Sequence, residues 1–352
     1  MTTKIEKVIT KALITHELNK EEIIMLLEAE GKDKELLFQE ADKLRKNNFG
    51  DEVHLRGIIE FSNYCSRECF YCGLRCQNHV VNRNRMTIDE IYEAAKEARN
   101  QGYMTIVLQS GEDSWYKVDI LAELINKMKD NLDLAITMSV GEHSKNFYKI
   151  LREAGADRYL LKHETSDKEL FEKLRPGTTL QGRLNRLKDL RELGYQIGGG
   201  FMVGLPGQSI ETLADDILLT KELDVEMAGI GPFIPHPETP LRGYPVGSVS
   251  MVLKVIAITR LLLPLTHLPA TTALANLSPE GRFKALSCGA NVIMPDLTPM
   301  IYKTNYEIYP KSSELLNFDN SFASWEKELL QHGRRVSKDY GHTPKPGFFA
   351  KL

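Results

Sequence analysis

The sequence predicts an α/β fold, a complete (β/α)8 TIM-type barrel with an N-terminal helical cover. Three observations carry that expectation. From residue 53 onward, short apolar segments alternate with longer amphipathic ones, the mark of parallel strands joined by crossover helices. Eight such units follow one another over about 250 residues, the usual length of a closed barrel. The stretches just after the apolar segments are almost all polar, small or turn-forming, as expected where a barrel carries its chemistry.

Taken in order, residues 2–48 read as two or three short amphipathic helices. Ile23, Ile24, Leu26 and Leu27 recur at helical spacing, and Asn19 is placed to cap a helix ahead of Glu21 and Glu22. No catalytic residue types cluster there, so the segment is expected to cover one end of the main domain. Strands are expected at 53–61, 104–109, 134–139, 158–162, 198–204, 226–231, 269–274 and 291–294. Helices are expected at 87–101, 118–129, 144–154, 179–193, 209–223, 250–263 and 279–287. Thr87 stands three residues before Glu90, the spacing of a capping box. The last two strands have the faintest patterns, which makes a six-strand open barrel the nearest alternative. The chain accordingly divides into a helical cover (1–50), the barrel (51–310), and a C-terminal helix and tail that close it (311–352).

Composition narrows the function. Of 352 residues, 45 are Lys or Arg and 48 are Asp or Glu, a net charge of −3 that argues against nucleic acid or a membrane surface as partner. The first residues become charged at once, with no secretory leader in view. The most apolar stretch, 252–269, carries Lys254 and Arg260 and is too polar for a membrane span. Four of the five cysteines fall between positions 65 and 76. A disulfide framework would spread an even number over a short chain; a tight cluster points to metal in a reducing cytoplasm.

The cluster is Cys65-Ser-Arg-Glu-Cys69-Phe-Tyr-Cys72, a C-x3-C-x2-C motif expected in the loop after the first strand. Three thiolates on one short loop can hold three irons of a single [4Fe-4S] cluster and leave the fourth without a protein ligand. An open iron can be chelated by the amino and carboxylate groups of S-adenosylmethionine, whose one-electron cleavage yields a 5′-deoxyadenosyl radical. The competing reading is structural zinc, with Cys76 or His79 as the fourth ligand.

The motif and several longer segments together resemble the [FeFe]-hydrogenase maturase HydE family of radical S-adenosylmethionine enzymes. Those segments are Glu60–Cys65, Tyr71–Arg75, Val107–Asp113, Tyr159–Thr165 and Gly229–Pro237. The resemblance runs from about residue 50 to Pro310. It implies that Ser110, Gly111, Glu112 and Asp113 lie by the methionine end of the cofactor, and that Tyr71, Ser139, Glu164 and Arg183 also contact it. It further implies an interior cavity using Thr137, Met227, Thr271, Thr272 and Tyr306, with Lys162 where the family has Arg. Lysine keeps the charge there and loses the planar fork. Read without the resemblance, Met227 is core filling and the threonines are strand packing. Some family members carry three more cysteines near the C-terminus; residues 310–352 contain none, so a single cluster is expected.

The function so implied is a step in hydrogenase maturation on a small-molecule or organometallic iron substrate, a cysteine-bound iron carbonyl–cyanide complex. Implied partners are a one-electron donor such as flavodoxin or ferredoxin, and other hydrogenase maturases. Two alternatives stand beside it: a methylornithine synthase-like amino-acid mutase, and a non-enzymatic iron–sulfur sensor or scaffold.

Overall fold

The computed structural model describes residues 3–346; the first two residues of the expected cover and the last six of the expected tail lie outside the described residues. Three helices lead: α1 (Lys4–Thr15), α2 (Lys20–Leu27) and α3 (Gly31–Phe49). The first two each open on a reciprocal capping box, Thr3 with Glu6 and Asn19 with Glu22.

Strand and helix then alternate. β1 (Glu52–Leu55) and β2 (Gly57–Ser62) are two parts of one run interrupted at Arg56. There follow α4 (Ile88–Gln101), β3 (Thr105–Ser110), α5 (Val118–Leu132), β4 (Ala135–Ser139), α6 (Lys145–Glu153) and β5 (Arg158–Leu160). Next come α7 (Lys168–Leu174), α8 (Leu180–Glu192), β6 (Gln196–Gly199), β7 (Met202–Val203) and α9 (Ile210–Glu222). The second half runs through β8 (Met227–Ala228), β9 (Gly231–Pro232), α10 (Val249–Leu262), β10 (Pro269–Ala270), α11 (Thr272–Leu277), α12 (Gly281–Leu286) and β11 (Val292–Ile293). It ends with α13 (Met300–Lys303), α14 (Ser313–Asn317), α15 (Phe322–Gln331) and β12 (Arg335–Val336).

All the strand pairs are parallel. β2, β3, β4, β5, β6 and β8 pair in that order, and β10, β11, β1 and β12 form a second run. A bridge between Met227 and His267, with the Ala228 N–H donating to the His267 carbonyl at 3.0 Å, joins β8 to the segment entering β10.

Helices fall where periodicity and caps placed them, and α4 begins behind the expected Thr87–Glu90 capping box. The strands depart from expectation in four places, the first being the run expected at 53–61, which breaks at Arg56. The runs expected at 198–204 and 226–231 are each split in two, because Gly200 (φ 130°) lies against the backbone of Gly229, whose carbonyl oxygen would be 2.2 Å from any added Cβ. The strand expected at 269–274 stops at Ala270: Thr271 is the N-cap of α11 and Thr272 its first residue. Strand packing is therefore not what either threonine does.

The N-terminal helices lie on the flank made by α9 and α10. Wedged between them and the sheet, α10 is buried almost throughout, which explains its apolar sequence. Its two charges are satisfied inside: Lys254 donates to the Leu27 carbonyl (2.9 Å) and pairs with Glu30, while Arg260 reaches four carbonyls and Asn291. At the N-terminal ends of the strands, residues 335–343 run across the floor. The Gly341 carbonyl accepts from Arg56 (3.0 Å), the Tyr340 carbonyl from Thr105 (2.9 Å), and the Thr343 N–H donates to Gln196 (2.8 Å).

Candidate active site

The three-cysteine loop leaves the C-terminal end of β2 and is pinned on three sides. Ser66 N–H donates to the Glu112 carbonyl just beyond β3 (3.0 Å), Phe70 N–H to Leu174 at the end of α7 (2.9 Å), and Gly73 N–H to Ile308 (2.8 Å). Cys65 Sγ accepts from the N–H groups of Arg67 and Glu112, both at 3.4 Å, and Cys69 Sγ accepts from Arg175 Nη1 at 3.2 Å. Burial pushes all three thiols above their ordinary value; Arg175 pulls Cys69 part of the way back. A thiolate in this setting needs positive charge beside it, which a bound iron cluster provides. Space is fitted closely as well. A Cβ on Gly111 would stand 2.2 Å from the Tyr64 carbonyl and 2.7 Å from Cys65 Cβ, and one on Gly73 would stand 2.2 Å from the Glu307 carbonyl. Among the described residues no three His, Cys, Asp or Glu side chains converge closely enough to hold a single ion. Cys76 instead faces Glu68 (3.6 Å).

Around the loop lies a set of charged groups tied to one another. Asp113 is held by Arg85 at 2.7 and 3.0 Å and by Ser62 at 2.7 Å; burial works against its charge, but these partners keep the carboxylate below its usual range. Glu112 takes Arg67 and the Glu142 N–H. Arg183, buried in α8, donates to Glu142 (2.6 Å) and to the Lys162 carbonyl (2.8 Å). Arg175 binds Tyr71 Oη (2.8 Å) as well as Cys69, and its other nitrogen is 3.8 Å from both Glu112 and Glu142. Ser110 donates to the neighbouring Gly111 carbonyl (2.7 Å), and Ser139 ends β4 in register with Gln109. Glu164 adopts φ 66°, a left-handed backbone rare for a residue with a side chain and costing of order 1–3 kcal/mol. It is kept there by Gly200 and Met202, and its carboxylate faces Lys162 at 3.5 Å.

Beside the loop a cavity of about 270 Å³ opens, walled by Tyr71, Lys162, Glu164, Met227, Thr271, Thr272 and Tyr306 among others. Six of the predicted cofactor and substrate residues that come from distant parts of the chain thus meet Tyr71 there. Thr137 does not line it; its hydroxyl is buried without a hydrogen-bond partner among the described residues. Met227 is more than filler, since its sulfur accepts from Arg56 at 2.9 Å. The cavity also holds a charged group that sequence reasoning missed: Lys311 donates to Glu60 (2.9 Å) and Asp296 (3.3 Å), with Lys303 3.9 Å from Asp296. Burial and Asp296 push Glu60 up to about 8, while the two carboxylates keep Lys311 firmly protonated. Arg175 and Glu142 were missed too. Arg175 precedes Pro176-Gly177 at a helix end, where a charged residue is by default solvated, and nothing local marks either residue.

A thiol loop at the C-terminal ends of parallel strands, ringed by carboxylates and guanidiniums and opening on a cavity, defines an enzyme that handles S-adenosylmethionine through an iron–sulfur cluster; residues 59–220 match the Radical SAM superfamily. The chain belongs to that superfamily and, within it, to the group that includes HydE and 3-methylornithine synthase. It is 48% identical over 308 residues, 87% of this chain and 88% of the other, to the [FeFe] hydrogenase maturase subunit HydE of Thermotoga maritima. To the 3-methylornithine synthase of Methanosarcina acetivorans it is 33% identical, over 94% of this chain and 91% of that one. The crystal structure of methylornithine synthase (PylB) superposes with a TM-score of 0.84 at 30% identity, covering 94% of this chain and 97% of that one. The chain is thus a radical SAM enzyme, which binds a [4Fe-4S] cluster and S-adenosylmethionine, and the scaffold alternative falls. Among the described residues no helix is long and apolar enough to cross a membrane.

Proposed function

We propose that this enzyme acts in assembly of the [FeFe]-hydrogenase active site, on a cysteine-bound iron carbonyl–cyanide complex held in the cavity. The 48% identity to the Thermotoga maritima HydE over most of both chains carries this reading. Cleavage of S-adenosylmethionine to a 5′-deoxyadenosyl radical is the chemistry the cluster and cofactor supply when bound. Cys65, Cys69 and Cys72 would hold the cluster. Ser110, Gly111, Glu112 and Asp113 would lie by the methionine end of the cofactor, with Tyr71, Ser139, Glu164 and Arg183 as further contacts. Because Arg183 and Arg175 brace Glu142 and Glu112, these groups orient one another before any ligand arrives. Thr137, Lys162, Met227, Thr271, Thr272 and Tyr306 would serve the substrate.

A complete (β/α)8 barrel is part of the same proposal. It is supported by the parallel pairings that lead from β2 round to β8, by the Met227–His267 bridge, and by β10 and β11 returning to β1. Within it, 1–50 is the cover, 51–310 the barrel and 311–352 the closing helix and tail. A flavodoxin- or ferredoxin-type donor, other hydrogenase maturases as partners and a cytoplasmic setting belong to this reading.

The deciding experiment is an anaerobic assay of the reconstituted enzyme with the iron complex and, separately, with lysine. Turnover of the complex supports the proposal; rearrangement of lysine to methylornithine would replace it with the mutase reading.

Two predictions test the parts. Glu164→Ala and Arg183→Ala are each expected to weaken S-adenosylmethionine binding by about 1.5–3 kcal/mol, the scale of a charge-assisted hydrogen bond, with iron content unchanged. Normal binding by both variants would remove them from the cofactor site. The Cys76→Ser, Cys288→Ser double variant is expected to carry as much iron and sulfide as the parent. Cys288 is a buried thiol in the core and Cys76 pairs with Glu68, so neither is placed to ligate a second cluster. Loss of a cluster in the double variant would reveal a second metal site.

A further inference from the structure

Seven charged side chains line the cavity, four cations against three carboxylates. Lys162 faces Glu164, and Lys311 and Lys303 share Glu60 and Asp296. That leaves Arg282. Among the described residues no carboxylate lies within ion-pair distance of it, although it is 7% exposed. Its guanidinium rests over the Trp325 ring, 5.2 Å from the centroid, and its one hydrogen-bond partner among the described residues is Thr272 Oγ1, at 3.5 Å. Arg282 Nε is buried with no partner among the described residues. Thr271 Oγ1, on the same cavity, is likewise buried and unpartnered.

A desolvated guanidinium with no counter-charge is costly, and a buried hydroxyl with no partner adds to the cost. Burial draws Arg282 down to about 10, and Tyr309 offsets only part of that. Two such groups side by side on a cavity wall are explained by an occupant that supplies what both lack. The geometry points to a carboxylate subsite in which Arg282, with the Thr271 and Thr272 hydroxyls, binds the carboxylate of the substrate. The planar edge of the guanidinium offers paired donors that match two carboxylate oxygens, and its carbon stands over the Trp325 ring. Lys162, a point charge already facing Glu164, offers no such fork. The inference rests on the proposal that this cavity receives the substrate.

The test is equilibrium binding to the reconstituted enzyme of two ligand pairs that differ only in the carboxylate: propionate against propionamide, and L-cysteine against L-cysteinamide. The parent is expected to bind each acid at least tenfold more tightly than its amide. Arg282→Met should abolish the difference, and Thr271→Val should reduce it several-fold. Arg282→Met is also expected to melt no lower than the parent, whereas a purely structural arginine would lower the melting temperature. If that variant does not fold, Thr271→Val decides alone, and parental discrimination in it overturns the subsite. Failure of the parent to discriminate either pair, or discrimination surviving in Arg282→Met, also overturns it. Discrimination of propionate but not cysteine would keep the subsite and instead remove the cysteine-bound substrate from the functional proposal.

Discussion

Cys69→Ala protein, reconstituted without oxygen, is expected to show no brown cluster absorbance and to form no 5′-deoxyadenosine. The same holds for Cys65→Ala and Cys72→Ala. The loop supplies three thiolates for three irons, and the next thiol, Cys76, is turned to Glu68, so no ligand is spare. The loss should be chemical rather than structural. Cys69 belongs to a small apolar cluster with Tyr71, Leu170, Leu174, Leu205, Phe233 and Leu241, apart from the main core. A melting curve near that of the cluster-free parent, with iron content at background, is the predicted pattern. Full turnover by Cys69→Ala would contradict the assignment of the metal site outright.

Gly111→Ala is expected to do nearly as much damage with one methyl group. Its Cβ would overlap the Tyr64 carbonyl and Cys65 Cβ, so either the segment after β3 or the cysteine loop has to move. Overpacking of this kind costs about 1–3 kcal/mol in stability. The functional loss should exceed that, because the displaced group is a cluster ligand, and misplacement by about 1 Å can cost a hundredfold in rate. Iron per chain and 5′-deoxyadenosine formation are the measurements. Gly243→Ala, where the added Cβ meets nothing within 4 Å, is the matched control and should resemble the parent. A Gly111→Ala enzyme with full iron and parental rate would show that the loop has slack that its contacts do not suggest.

What could be read from the sequence was local. The βα alternation rests on periodicity within each segment, and the caps at Thr87 and Asn19 on spacings of three residues. The metal loop is eight residues long. Where two distant segments decide the outcome, the sequence carries no signal. Gly200 and Gly229 split their strands because their backbones touch. Thr271 and Thr272 look like strand residues, since β-branching favours strands, but a threonine hydroxyl also favours a helix start, and packing chose the second. Arg175 meets Cys69 across 106 residues, Arg183 meets Glu142 across 41, and Lys311 meets Glu60 across 251. Each of these reads as a solvated charge until the fold brings its partner to it. The left-handed Glu164 had no turn signature, because its conformation is imposed by bonds to Gly200 and Met202.

The tail across the floor has a consequence for how the protein is made. Arg56, at the break between β1 and β2, waits for the carbonyl of Gly341, 285 residues later, and β1 gains β12 only when residues 335–336 are out. On a ribosome the cysteine loop is exposed long before the floor beneath it can be laid, and β10 and β11 also emerge late. The nascent chain therefore presents four thiols, Cys65, Cys69, Cys72 and Cys76, and open strand edges together, at the stage when oxidation and mispairing are easiest. Loading of iron before release would meet an unfinished pocket, so cluster insertion belongs after the chain is complete. A product stalled or truncated before residue 335 should be recovered as an aggregate rather than as an empty but folded enzyme.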